Sequence, residues 1–237
     1  MPMAGALGAA RVERTSGVPR LSVECIPMRG PFKLLLVLCF AFGAATARAQ
    51  QPPILEAVVA GNPDEVERLI VAGAGVDTRN EDGETLLYLA VEAGQAETAR
   101  LLLRKGADVK IGTANGETAL HAAALNGDAG LLLLLLERGA QVNRANRDGE
   151  RPLFWAAASG HGRAAKLLIE RGAEVNAVDQ RGNSALHGAA DGGHEAAVML
   201  LLNQGASRGL HTMAGETALD IARRRGHGEI VKLLQLP

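Results

Sequence analysis

Three histidines of this 237-residue chain lie 33 residues apart, at His161, His194 and His227. Histidines that recur at a fixed step suggest a zinc site, in which the ligand nitrogens lie about 2.0–2.1 Å from one ion. If the repeated segments pack side by side as helices do, equivalent atoms are about 8–10 Å apart. The spacing therefore argues against a shared metal ion, and we expect neither a metal nor a cofactor.

Acidic residues follow the same step. The position after a glycine is occupied by Glu84, Glu117, Glu150, Asn183 and Glu216. One interpretation is that carboxylates near a helix N-terminus are favoured by the helix dipole and are simply solvated. The other is that these acids, together with Asp82 and Asp148, form a ladder about one Debye length apart. Such an edge would prefer a protein partner with a basic face.

The sequence has no obvious catalytic constellation. Both cysteines, Cys25 and Cys39, lie within the first 49 residues, and no His-Glu-x-x-His or phosphate-binding loop occurs. The few serines and threonines fall at expected turn or cap positions. We therefore expect the protein not to be an enzyme.

The composition favours stacked helices. With 47% hydrophobic residues and a net charge of −1, the chain is neither disordered nor collagen-like. Only 3% of the residues are aromatic, so leucine and alanine must build the core. The near-neutral charge also lacks the basic excess that nucleic-acid binding requires, and no nucleic-acid partner is expected.

Residues 28–49 have the pattern of a bacterial-type signal peptide. Two basic residues, Arg29 and Lys33, precede an apolar run over residues 34–45, and small residues at 47 and 49 suit a cleavage site after Ala49. The run is shorter than the roughly 20 residues that span a membrane, which disfavours an uncleaved anchor. We expect export, to the periplasm or to the extracellular space, without membrane attachment after cleavage.

The segment ahead of the signal, residues 1–27, has no helical or strand period. It is either a disordered extension or an artefact of a start that truly lies at Met28. Cleavage would leave a mature domain of residues 50–237 without cysteine. It would remove six of the 25 basic and two of the 26 acidic residues, so the mature chain would carry a net charge of −5.

Glycines show that the chain is built from repeats. Three series keep the 33-residue step, from Gly61 to Gly226, from Gly73 to Gly205 and from Gly83 to Gly215. A period between 20 and 50 residues is typical of a repeat architecture. In the third copy a turn at Asn115-Gly116 precedes a predicted helix from Thr118, and a second predicted helix over residues 128–138 ends before Gly139, a left-handed cap.

Two elements that recur among the copies resemble those of ankyrin repeats. Thr118-Ala-Leu-His121 and Ser184-Ala-Leu-His187 match the Thr-Pro-Leu-His element, and Gly139-Ala-Gln-Val-Asn143 matches the Gly-Ala-Asp-Val-Asn element. The resemblance covers about residues 53–237. It implies an all-α ankyrin-repeat solenoid of about six 33-residue helix-turn-helix units with β-turn or hairpin loops. The expected units are about 53–80, 81–113, 114–146, 147–179, 180–212 and 213–237.

The family resemblance also implies a function. Ankyrin arrays bind proteins on a concave face formed by turn tips and first helices, so the expected role is a non-catalytic interaction scaffold. Candidate contacts are Arg79, Glu81, Glu84, Glu92, Asn115, Glu117, Asn126, Arg147, Asp148, Glu150, Trp155 and Ser159. Two alternatives stay open: a secreted effector or enzyme inhibitor, and a protector or chaperone-like partner of an exported enzyme.

Two residue types on the first helices have competing interpretations. In ankyrin proteins, residues such as His121 and His187 bond the turn backbone, so a structural role is expected. Trp155 falls between Ala122 and Gly188 in equivalent positions of the stack. It is either packed against these small neighbours or exposed as a binding hot spot.

Overall fold

The computed structural model describes residues 52–235, which belong to the compact unit Gln50–Pro237. Residues 1–27 and the predicted signal peptide at 28–49 lie outside the described residues. Within residues 52–235 the chain forms twelve α-helices and isolated β-bridges. The helices are α1 (Pro53–Val59), α2 (Pro63–Val71), α3 (Leu86–Glu92), α4 (Ala96–Arg104), α5 (Ala119–Asn126), α6 (Ala129–Glu137), α7 (Pro152–Ala158), α8 (Gly162–Glu170), α9 (Ala185–Asp191), α10 (Glu195–Asn203), α11 (Ala218–Arg225) and α12 (Gly228–Gln235). None of the helices in this range is both long and apolar enough to cross a bilayer.

Consecutive helices pack as pairs, from α1 with α2 to α11 with α12. The odd-numbered helices also contact the odd-numbered helices of neighbouring pairs, and the even-numbered helices contact one another in the same order. The described residues thus form two layers, which we call the inner layer (odd helices) and the outer layer (even helices). This arrangement confirms the predicted all-helical solenoid.

Side-chain caps begin most of the inner helices. A hydroxyl at the N-cap pairs with the residue three positions later in Thr85 with Tyr88, Thr118 with His121, Ser184 with His187 and Thr217 with Asp220. The Thr85 and Thr217 hydroxyls accept from the backbone N–H of the later residue, which has no partner within the helix. The Thr118 and Ser184 hydroxyls instead contact the imidazole Nδ1 of the later histidine. Helix α7 differs, because Arg151 occupies the cap position and Pro152 opens the helix, where its missing N–H leaves nothing unpaired.

Glycines in the left-handed region end many of the helices. Gly127 follows α5 with φ 69°, and Gly139 follows α6 and its C-cap with φ 87°. A β-carbon would be strained at either position. The predicted cap at Gly139 and the two helices predicted for the third copy are confirmed.

Leucine and alanine form the core, as the composition predicts. At equivalent positions of successive outer helices, Leu102, Leu135, Leu168 and Leu201 are fully buried. In the inner layer the same is true of Ala90, Ala123, Ala156, Ala189 and Ala222. The small alanines let the inner helices approach one another closely, which places the preceding turns side by side.

Candidate protein-binding surface

A short polar residue at the base of each turn shapes the loop that leads into the next inner helix. In the first such turn, Asn80 Oδ1 accepts hydrogen bonds from the backbone N–H of Asp82 at 3.1 Å and of Glu84 at 2.9 Å. The later turns have Thr113, Asn146, Asp179 and Thr212 in this role. The five turns therefore share one internal bonding pattern, and equivalent side chains start from equivalent places.

Two rows of residues follow from this geometry. The two residues after each turn base form the tip row: Glu81, Asp82, Ala114, Asn115, Arg147, Asp148, Gln180, Arg181, Met213 and Ala214. The residue after each turn glycine forms the shoulder row: Glu84, Glu117, Glu150, Asn183 and Glu216.

Backbone hydrogen bonds tie each tip to the next. The carbonyl oxygen of the second tip residue accepts from the N–H of the first tip residue one copy later: Asp82 from Ala114 (3.1 Å), Asn115 from Arg147 (2.7 Å), Asp148 from Gln180 (2.9 Å) and Arg181 from Met213 (2.7 Å). The turns are close enough that a β-carbon on Gly149 would lie 2.9 Å from the Gln180 nitrogen. The tip row is thus a continuous, hydrogen-bonded edge.

Most tip side chains are exposed and are not used by the fold; the exception is Gln180, whose Nε2 donates to the Arg147 carbonyl oxygen at 2.6 Å. Those of Glu81, Asn115, Arg147 and Asp148 make no hydrogen bond or ion pair with another residue of the range 52–235, and neither does the nearby Arg79. The structure adds Arg181 and Met213, which is 83% exposed, to the same row. Both could have been found by continuing the 33-residue step, since Arg181 is one step after Asp148 and Met213 is two steps after Arg147.

The shoulder side chains, in contrast, are half-buried and engaged within the protein. Asn80 Nδ2 donates to Glu84 at 2.7 Å, and the Tyr88 hydroxyl donates to Glu117 at 3.2 Å. Burial above all, and then the carboxylates of Glu92, Glu117 and Glu84, raise the pKa of Tyr88, so this phenol stays protonated as a donor. The acidic ladder therefore contributes to the internal structure of the turns.

Trp155 is half-buried beside this ladder. Its indole Nε1 donates to Glu150 Oε2 at 3.0 Å, and its ring meets that of His121 edge to face at a centroid distance of 5.6 Å. Packing is thus part of its role, as one interpretation expects. Gly188, however, is covered by another residue, since a β-carbon there would lie 3.0 Å from the Phe154 ring. A hot-spot role for Trp155 stays a prediction.

The family model for ankyrin repeats matches the chain in three overlapping copies, at residues 54–146, 110–179 and 153–236. The chain belongs to the ankyrin-repeat family. Proteins of this family generally act as scaffolds for protein–protein interaction. No curated protein gives a significant match to the sequence.

The remaining candidate contacts lie at the carboxyl ends of the inner helices of the ankyrin stack. Asn126 Nδ2 donates to the carbonyl oxygens of Val91 at 2.8 Å and of Glu92 at 2.9 Å, which bridges two neighbouring copies. Ser159 caps the end of α7 and is half-buried, as is Glu92. Asn126 thus has a clear structural use, which its Asn-Gly turn signal did not indicate.

His121 and His187 have the structural role expected of these ankyrin positions. The Nδ1 atom of His121 accepts from the Thr118 N–H at 3.1 Å, so its Nε2–H faces the Glu150 carbonyl oxygen at 3.3 Å. His187 repeats the pattern with Ser184 and the Leu210 carbonyl. Burial lowers the pKa of His121 to about 4 and lowers that of His187 in the same direction. Both imidazoles are therefore neutral at pH 7.

The three evenly spaced histidines line the junctions between ankyrin copies. His194 Nε2 lies 3.0 Å from the Ala158 carbonyl oxygen, and His227 Nε2 lies 3.2 Å from that of Asp191. The His161 ring occupies the space above Gly127, where a β-carbon would approach it to 2.5 Å. Among residues 52–235 no group of three or more His, Cys, Asp or Glu side chains is arranged to hold a metal ion.

One further motif lies in the loop after helix α10. Gly205-Ala-Ser207-Arg-Gly209 has the spacing of a nucleophile elbow, which requires a strand-to-helix turn to present its serine. Here the segment follows helix α10, and the Ser207 N–H donates to Asn176 Oδ1 at 2.7 Å. The elbow geometry is absent from this loop, so the match carries no catalytic implication.

Proposed function

We propose that this ankyrin-repeat protein is a non-catalytic scaffold that binds a protein partner through the tip row and the inner helices. The observation that carries the proposal is the exposure of tip side chains that the fold does not use, on a backbone that is hydrogen-bonded from turn to turn. A surface ordered in advance loses little conformational entropy on binding.

The charge of the tip row selects the partner. Its first turn presents Glu81 and Asp82, the third presents Arg147 beside Asp148, and the fourth presents Arg181. A basic partner is therefore favoured at the amino-terminal end of the row, and an acidic group at Arg181. Complementary charges of this kind mainly raise the association rate and set the orientation of the complex.

Crosslinked capture of the partner from the host, followed by binding measurements on charge-reversal variants, tests this proposal. The pair E81K/D82K should slow association with the captured partner, and R181E should do so independently. Both effects should shrink as salt is raised, because these groups are exposed. Unchanged binding of both variants at low salt would refute a role for the tip row.

We further propose that the protein is exported and acts in the periplasm. The support is the pattern at residues 28–49, in which a basic start, an apolar run and small residues precede Gln50. Fractionation of host cells should find the protein in the periplasm with Gln50 as its first residue, and deletion of residues 28–49 should retain it in the cytoplasm. Recovery from the culture medium would instead favour the effector or inhibitor function.

A further inference from the structure

The last ankyrin copy contains a guanidinium group bound to its shoulder carboxylate. Arg224 Nε donates to Glu216 Oε1 at 2.9 Å, and Arg224 Nη2 lies 3.4 Å from Glu216 Oε2. This bidentate contact is the geometry in which arginine commonly binds a carboxylate. The shoulder position can thus hold an arginine side chain that approaches along the inner face.

Two copies earlier, the position equivalent to Arg224 holds a small residue. Arg224 lies eight residues after its shoulder residue, and the residue eight positions after Glu150 is Ala158. This position accepts larger side chains inside the stack, since it is Glu92 in the second copy and Leu125 in the third. Ala158 therefore places no polar group of the chain on the Glu150 carboxylate, unlike Arg224 on Glu216.

The Glu150 carboxylate is held in place with one oxygen available. Its Oε2 atom accepts both from Asn146 Nδ2 and from Trp155 Nε1, each at 3.0 Å, whereas Oε1 accepts no hydrogen bond from the described part of the chain. The half-buried Trp155 indole lies directly beside it. An indole that holds a carboxylate at its N–H edge suits a planar cation, because the ring face attracts the charge and the remaining carboxylate oxygen accepts N–H groups.

We infer that Glu150 and Trp155 form a binding site, which we call the arginine seat, for an arginine side chain of the partner protein. Its carboxylate corresponds to that of Glu216, which binds Arg224 in the last copy. This inference deepens the proposed scaffold function and rests on it. It names the chemistry of the central contact: a guanidinium that stacks on Trp155 and donates to Glu150.

The single tryptophan of the chain provides a direct test, since its indole N–H gives one NMR signal. The probes are acetyl-Gly-Arg-Gly-amide, the same peptide with lysine, and the neutral peptide with citrulline. The arginine peptide should shift the indole signal in a saturable way, with an affinity about tenfold above that of the citrulline peptide, or about 1.4 kcal/mol. Equal responses to arginine and citrulline, or to arginine and lysine, would overturn the assignment.

Two variants and a matched control locate the seat. E150Q keeps an acceptor for the indole but removes the charge, and it should weaken binding of the arginine peptide about tenfold, again about 1.4 kcal/mol. E84Q makes the same change on the shoulder row without a neighbouring tryptophan and should have no effect. A158R should fill the seat from within and abolish the response, while a melting curve shows that it folds. If A158R does not fold, the affinities of E150Q and E84Q for the arginine peptide are compared, and equal affinities would overturn the inference.

The outcome for the captured partner separates this inference from the scaffold function. If E150Q and A158R bind the partner as the wild type does while the tip variants lose binding, the arginine seat is wrong and the scaffold function stands. If neither the seat variants E150Q and A158R nor the tip variants E81K/D82K and R181E change binding, the proposed surface itself is wrong.

Discussion

The tip row and the shoulder row come from the same five turns but are used in opposite ways. Tip side chains such as Asn115 and Arg147 are exposed and make no bond within the described residues, although their backbone groups bond one another at 2.7 Å. Shoulder side chains such as Glu84 are half-buried and accept hydrogen bonds from their own turns. The charge pattern alone made both rows candidates for binding. The comparison shows that half-buried carboxylates can be used by the fold itself, so charge alone does not mark a binding surface.

The largest expected effect concerns the glycines between the two rows. In G149A a β-carbon meets the backbone of the next turn at 2.9 Å with φ at 83°, and the variant should lose about 3 kcal/mol of unfolding free energy through strain and overpacking. Urea denaturation measures the loss. G139A has a similar φ of 87° but no neighbour within 4 Å, and should lose only about 1 kcal/mol. Equal losses would show that the turns are not tightly stacked.

The next effect separates a turn base from its tip. Asn146 is buried, and its side chain bonds the N–H groups of Asp148 and Glu150 and the Glu150 carboxylate. N146A should therefore cost about 2 kcal/mol, because buried polar groups lose their partners. The adjacent tip variant R147A should stay within about 0.5 kcal/mol of the wild type. A similar cost for both in thermal unfolding would remove the distinction between base and tip.

The protein should lose stability in acid because of His121, whose Nε2 faces the backbone carbonyl oxygen of the shoulder residue Glu150. Because the pKa of His121 is about 4 in the folded protein and about 6.5 when unfolded, the unfolded chain binds an extra proton between these values. Stability is complete above pH 6.5 and falls as the pH is lowered towards 4, by up to about 1.4 kcal/mol per pH unit for each such histidine. Chemical denaturation at a series of pH values tests this slope. H121Q should be less stable at pH 7 and lose less on acidification, and an unchanged slope would contradict the assignment.

The smallest effect extends the comparison to a third row, at the loops after the outer helices. Asn143 bridges to the next copy by donating to the Gly172 carbonyl and accepting from the Glu174 N–H, and Asn176 does the same one copy later. Lys110 occupies the equivalent position and makes no such side-chain bridge within the described residues. K110N should therefore stabilise the protein by about 1 kcal/mol. K110A provides the control, and an equal gain in K110A would point to the removal of lysine instead.

Much of the fold could be predicted because its signals are local. The glycine step placed the turns, and Thr118 and Gly139 marked the helix limits of the third copy to within about one residue. The roles of individual site residues could not be predicted in this way. Asn126 bonds carbonyl groups 34 and 35 residues away, and Tyr88 bonds a carboxylate 29 residues away. No turn or cap preference indicates such partners.

The sequence by itself therefore determined the repeat, the helices, the leucine and alanine core and the membership of the ankyrin family. These depend on backbone preferences and hydrophobic periodicity, which act over a few residues. Only the tertiary structure decided which polar side chains are left for a partner. That depends on hydrogen bonds between copies, and whether such a bond forms is set by how closely the copies stack. Asn126 and Asn115 are both exposed asparagines, yet Asn126 bonds the Val91 and Glu92 carbonyl oxygens of the preceding copy while the Asn115 side chain makes no bond within the described residues.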